Sequence, residues 1–240
     1  NFRLVTEFSG LVYTAGGGWR DNIVPDATTG TQDALVIDGT YLVEADVQLA
    51  NLLVSSDATA FIDFGKSLTL SANLINIGAL ELNSISNVYS SLVVNGSVTN
   101  EVTYNRHVNK LADTGSTTGA NDLISAPVTN ASQTFGEFRA ANGDIPSGLI
   151  PPDDTTTFYL FGPYDQDTDT YINYSAANDN VEIASGIGYR TASNTPTGSN
   201  FKFVGDVETG TIPVDISTGA TTVFNLIGNP YPSYISLFDF

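Results

Sequence analysis

Between residues 34 and 104 the chain is a succession of short apolar runs broken by Gly, Asp, Asn and Ser: "ALVIDGTYLVEADVQLANLLVSSDATAFIDFGKSLTLSANLINIGALELNSISNVYSSLVVNGSVTNEVTY". The runs at 35–37, 52–54, 68–70 and 80–82 recur at uneven spacings of roughly 12 to 17 residues, and each is too short for a helix. Strands of two or three residues bury little alone, so they must stack. Coil laid upon coil gives a β-solenoid, in which each turn covers its neighbour's apolar face. An antiparallel sandwich built from the same short strands is the alternative. Gly39, Gly65, Gly78 and Gly96 fall at the turns, and "VSSDATA" and "NSISNVYSS" read as outward loops.

Residues 1–33 read as cap strands over the solenoid's first coil. Phe2, Leu4, Phe8, Leu11 and Tyr13 fit one or two strands, and Trp19 follows a Gly-rich turn. An open solenoid end needs such a cover. Trp19 is assigned as its packing anchor, and with its ring exposed it would instead be a stacking platform for a glycan. The solenoid spans 34–110, and a linker rich in Gly, Thr and Ser follows at 111–122.

From 123 to 240 the texture changes to longer strands: "DLISAPV", "TTFYLFGPY", "TYINYSA", "GIGYRTA" and "TTVFNLIGNPYPS", with a hairpin expected in "VETGTIPVDI" around Glu208, Thr209 and Gly210. Residues 135–142 allow a turn or two of weakly capped helix. The fold class is therefore all-β: a short right-handed β-solenoid followed by a jelly-roll-like β-sandwich, incomplete at the C-terminus.

Charge narrows the partners. The chain has 26 acidic residues, 8 Lys and Arg and one His, for a formal net charge of −18. Nucleic-acid binding needs clustered cations and is not expected. No run approaches the roughly 18 apolar residues of a membrane helix, so no membrane insertion is expected. Cys and Met are both absent, which removes disulfides and thiolate chemistry and leaves little for oxidants to attack.

Candidate chemistry is sparse. Arg106, His107 and Lys110 make 106–110 the most electropositive spot, read as a strand whose cations pair with nearby carboxylates, because no second His completes a metal or nucleophile site. Asp165, Asp167 and Asp169 have the opening spacing of a Ca²⁺ loop. Thr170 and Ala176 stand where a helix-loop-helix site wants Gly and Glu, leaving a turn-type Ca²⁺ site or a plain Asx turn. No cofactor is expected, with calcium as the one candidate. Tyr159, Tyr164, Tyr171 and Tyr174 form a dense aromatic group, read as core and hairpin packing.

The ordered set "GKSLTLSANLINIGALELNSISNVYSSLVVNGSVTNEVTYNRHVN", "DLISAPV", "YLFGPYD", "GIGYR" and "NLIGNPYPSYI" resembles the large modular surface proteins exported by the type IX secretion system. The likeness runs from Trp19 onward, and "NLIGNPYPS" is its most specific piece. It implies a secreted, cell-surface-anchored module that is part of a longer polypeptide, with a sandwich continuing beyond the last residues here. The group carries an aromatic residue where this chain has His107, which favours packing over catalysis. Export by this route implies O-glycosylation at Asp-Ser/Thr motifs, and Asp154-Thr155-Thr156 makes Thr155 the candidate attachment site.

The function expected is a non-enzymatic extracellular adhesion or structural module of a larger cell-surface protein, assembling with copies of itself or other chains by β-strand addition. The alternative is a carbohydrate-binding module of a polysaccharide-degrading enzyme, with surface polysaccharide as partner. A Ca²⁺-stabilised scaffold overlaps the first reading.

Overall fold

The computed structural model describes residues 8–111, 121–130, 133–150, 153–236 and 238. The structure is all-β, 45% strand and 6% helix, with a β-solenoid of about 4 turns. A hairpin opens it: β1 (Leu11–Thr14) pairs antiparallel with β2 (Gly18–Trp19). β1 is also the first rung, parallel to β3 (Ala34–Val43). The ladder then climbs through β4 (Val47–Leu49), β5 (Leu52–Ile62), β6 (Ser67–Leu70), β7 (Leu74–Asn76) and β8 (Ala79–Leu82). A small hairpin of β9 (Ser84–Ile85) and β10 (Val88–Tyr89) precedes β11 (Ser91–Val94), β12 (Val98–Thr99) and β13 (Val102–Val108).

Ala34 lies beside Leu52, Leu52 beside Leu74 and Leu74 beside Val98, all in parallel register, so successive coils take 18, 22 and 24 residues. This differs from the spacing of the apolar runs because each coil lays down three strand segments. The run at 52–54 lies on the first side, that at 80–82 on the second and that at 68–70 on the third, where β4, β6 and β11 stack. Parallel coils settle the fold against the antiparallel sandwich. Alternation does the packing: Leu52, Val54, Ile62, Leu68, Leu70 and Leu74 are fully buried. Each such side chain contributes about 1.5–3 kcal/mol relative to exposure.

A polar ladder fixes one corner of every coil. The Asn51 amide donates to Asp33 Oδ1 at 2.7 Å, and Asn51 Oδ1 accepts from the Asn73 backbone N–H at 2.9 Å and from its amide at 3.0 Å. Asn73 Oδ1 in turn accepts from the Ser97 N–H and hydroxyl, both at 2.9 Å. These four residues each directly precede a first-side strand, so the ladder ties coil to coil where backbone groups leave the sheet. At another corner Gly78 is required by close approach: a Cβ there would lie 2.2 Å from both the Ser55 and Ala58 carbonyl oxygens. "VSSDATA", expected as a loop, is part of β5, while "NSISNVYSS" does leave the coil as the β9–β10 hairpin.

The second half begins at β14 (Asp122–Ser125), and most of the expected linker, residues 112–120, lies outside the described residues. Helix α1 (Phe135–Ala141) follows, with a full capping box from Thr134 and Glu137, so its start is well capped and not weakly. Then come β15 (Ser147–Ile150), β16 (Asp153–Tyr159), β17 (Phe161–Asp165), β18 (Thr170–Tyr171), β19 (Gly188–Thr191) and β20 (Ser199–Gly205). Among the described residues, β14, β19, β17 and β18 form one four-stranded antiparallel sheet, and β15 pairs with β16.

β20 leaves this half and pairs antiparallel with β13 over seven residues, extending the solenoid's own sheet. Phe201 and Phe203 on β20 meet Phe138 of α1, whose neighbour Phe135 stacks on Phe161 at 5.3 Å. Phe161 stacks on Tyr189 at 4.9 Å, completing an aromatic core between the solenoid end and the four-stranded sheet. The hairpin expected at 207–216 does not form. Asp206 exchanges both backbone hydrogen bonds with Thr129, which draws the chain away from any return strand. "TTVFNLIGNPYPS" likewise carries only an isolated bridge, Ile187 to Ile227. Among the described residues no helix is long and apolar enough to cross a membrane.

Candidate functional site

The third coil carries an excursion the second lacks. Ile62 and Leu68 of the second coil lie beside Leu82 and Leu92 of the third, so the same corner is four residues longer. The extra length is the β9–β10 hairpin, which sets Tyr89 and Ser90 against Tyr104 and Arg106 of β13. Residues 123–125 of β14 form the opposite wall, and the tail at 226–234 closes the third side of a cleft of about 320 Å³.

The tail is a hydrogen-bonded strap, which explains the "NLIGNPYPS" sequence. The Asn229 side chain accepts from the Tyr231 N–H at 3.0 Å and donates to the Ser233 carbonyl at 2.6 Å, folding the Pro-Tyr-Pro turn. The Asn229 carbonyl accepts from the Ser125 hydroxyl at 2.7 Å, and the Pro232 carbonyl accepts from the Leu92 N–H at 2.8 Å. Gly228 lets the strap approach β19: a Cβ there would lie 2.4 Å from the Ile187 carbonyl oxygen.

Inside the cleft the Arg106 guanidinium lies over the Tyr89 ring at 4.1 Å and donates to the His107 carbonyl. Tyr234 tilts toward Tyr89 with ring centres 6.5 Å apart. The Tyr104 hydroxyl donates to the Ser90 carbonyl at 3.2 Å, and burial pushes its pKa up to about 12. The Ser90 hydroxyl is buried without a hydrogen-bond partner. None of the described residues lining the cleft is acidic, although the chain carries a formal net charge of −18.

The residues singled out by sequence lie elsewhere. Trp19 is 7% exposed, its ring edge-on to Tyr41 at 4.8 Å and to Tyr13 at 5.4 Å. Packed this way in the cap, it presents no face on which a glycan could stack. Asp165, Asp167 and Asp169 do not converge. Asp165 accepts from the Asp167 N–H and the Thr168 hydroxyl, which holds its carboxyl below the usual range. Asp167 accepts from the Ala220 N–H, and Asp169 is bonded to the Tyr164 hydroxyl. Among the described residues no three acidic or His side chains gather as a metal cluster. Thr155 is exposed on β16.

Two of the cations at 106–110 have uncharged partners. Arg106 stacks on Tyr89, and His107 Nδ1 sits 3.2 Å from the Asn200 side-chain oxygen. Tyr174 lies in the aromatic core, Tyr159 packs on Phe135, and Tyr164 and Tyr171 pair across their strands at 5.3 Å. The tyrosines that share a cleft are instead Tyr89, Tyr104, Tyr231 and Tyr234. The one sequence signal for them was "NSISNVYSS" as an outward loop.

Residues 12–240 match the family described as a domain of unknown function (DUF8693). The chain belongs to this family. No curated protein and no solved structure matches it. The match takes in β13, β14 and the strap, so all three walls of the cleft lie within the DUF8693 domain.

Proposed function

We propose that the chain is a non-enzymatic extracellular module of a larger cell-surface protein, serving adhesion or structure. The observation that carries this reading is the single sheet running from the β1–β2 cap through every coil and into β20. It makes a stiff spacer that holds the second half in a fixed orientation, as display requires. Resistance of a Cys- and Met-free chain to oxidants and the resemblance to type IX cargo support a place outside the cell.

Assembly by strand addition has a defined end to work from. At the first coil Gln48 of β4 is already sealed, its N–H donating to the Asp26 carbonyl and its carbonyl accepting from the Thr29 hydroxyl. At the last coil the third side ends on β11, where the strap binds Leu92 and Val93 stays exposed. A neighbouring strand would add there. Two measurements test the proposal. Antibody to the folded chain should label intact cells, and sedimentation velocity should show association that rises with concentration. Labelling only after lysis, or a monomer at every concentration that adheres to no surface polymer, refutes it.

The cleft favours a second reading, carbohydrate recognition, as in a binding module of a polysaccharide-degrading enzyme. Tyrosine rings interleaved with hydroxyls suit a sugar's mixed apolar and polar faces. Retention on a glycan array that is lost in Tyr234→Ala supports it, and no retention on any glycan refutes it.

A further inference from the structure

The cleft opposes the charge of the chain that builds it. Among the described residues that line this cleft none is acidic, in a sequence with 26 acidic residues, while a guanidinium sits in its wall. Arg106 is held in place by its stack on Tyr89 and its bond to the His107 carbonyl. That bond engages one of five guanidinium N–H donors. A fork of this kind recognises planar carboxylates with charge-assisted hydrogen bonds.

Size and lining define the rest of the ligand. About 320 Å³ is the lower end for small-molecule sites, room for a sugar unit and not for a polymer strand lying flat. Tyr89 and Tyr234 offer ring surface beside the guanidinium, and Tyr234 is 67% exposed at the mouth. The buried Ser90 hydroxyl and the strap's Ser233 supply hydrogen-bonding atoms. A bare inorganic anion would use the guanidinium and leave the rings uncovered.

We propose that this cleft binds a carboxylated sugar unit of the uronic-acid type, with Arg106 pairing the carboxylate and Tyr89 and Tyr234 flanking the ring. The proposal rests on the carbohydrate reading above and gives it a ligand class. Exposure of Tyr234 at the mouth lets the unit be the end or a side branch of a longer acidic glycan.

The test titrates D-glucuronate, D-glucose and acetate into the full chain by calorimetry. Glucuronate is expected to bind at least about tenfold tighter than glucose or acetate, the factor a charge-assisted hydrogen bond supplies. Arg106→Gln should bring glucuronate down to the level of glucose. Tyr234→Ala, at an exposed position that leaves the fold intact, should weaken glucuronate severalfold, so the answer does not depend on the folding of one variant. Equal binding of glucose and glucuronate overturns the carboxylate assignment and leaves the carbohydrate reading standing. Acetate binding as well as glucuronate overturns the sugar assignment. Absence of binding by all three overturns the uronic-acid assignment, while the glycan array decides the carbohydrate reading, and wild-type affinity in the folded Arg106→Gln protein overturns the pairing role.

Discussion

Replacing Asn73 by Ala should destabilise the solenoid far more than its place at a corner implies. The substitution removes three hydrogen bonds: the amide's donation to Asn51 Oδ1 and the acceptance from the Ser97 N–H and hydroxyl. Each is worth about 1 kcal/mol net in a typical setting. The ladder is partly solvated, so water recovers a share, and the expected loss is roughly 2 kcal/mol. In a chain this long that lowers the melting midpoint by roughly 4–8 °C. Ser97→Ala removes only the hydroxyl's bond and should lose about half as much. Asn95, exposed two residues before Ser97, makes no such ladder contact, and Asn95→Ala should stay within about 0.5 kcal/mol of wild type. Urea unfolding gives all three values from midpoints at constant slope. If Asn73→Ala and Asn95→Ala unfold together, the ladder is incidental and the coils are held by their apolar columns alone.

Three further outcomes follow from the packing. Gly78→Ala places a Cβ 2.2 Å from two backbone oxygens, which cannot move as a side chain can, so a loss of about 3 kcal/mol, the upper end for overpacking, is expected in urea unfolding; a loss under about 1 kcal/mol refutes the close approach. Burial raises the Tyr104 pKa from its ordinary 10.0 to about 12, so the folded state keeps a proton the unfolded chain releases. The stability this represents is complete below pH 10.0 and is lost as pH rises toward about 12, and Tyr104→Phe should show a shallower alkaline decline. Tyr41 and Tyr189 are raised in the same way, so a native-state absorbance titration in which all 11 tyrosines ionise at the ordinary value refutes the burial argument. Asp179 accepts two hydrogen bonds from Arg139, at 2.7 and 2.6 Å, which hold its carboxyl below its ordinary 3.8. That contribution is present at neutral pH and is lost as pH falls from 3.8 through the lowered value, so melting of Asp179→Asn should differ from wild type at neutral pH and converge with it in strong acid.

The solenoid is legible in the sequence because runs of two and three residues bury themselves only by stacking, although the same runs also admit an antiparallel sandwich. The length of its coils is not, since consecutive runs such as 52–54 and 68–70 belong to different sides, and their spacing measures part of a turn and not a whole one. Asp33, Asn51, Asn73 and Ser97 look like ordinary turn residues for the same reason: only after the coils are laid in register do they fall into one column. The Thr134 and Glu137 capping box has the spacing such boxes take, yet the sequence reading expects a weakly capped helix there. Trp19 was read as a packing anchor from its Gly-rich setting, and its ring contacts are those of such an anchor. The cleft was illegible because its walls come from 89–106, 123–127 and 226–234. No local pattern joins those segments; the β13–β20 pairing and the strap do.

The four residues by which the third coil exceeds the second at one corner have a consequence for how such a protein can change. The strands on either side of that corner keep their parallel register, so the length of the corner is not dictated by the core. A corner can therefore be lengthened, shortened or exchanged as a cassette while the rungs beneath it stay in place. In this chain the cassette carries Tyr89 and Ser90 into the wall of the cleft. Exchanging residues 83–90 alone would give a library of clefts on one unaltered frame, a route by which selection, or a designer, could retarget the molecule without refolding it.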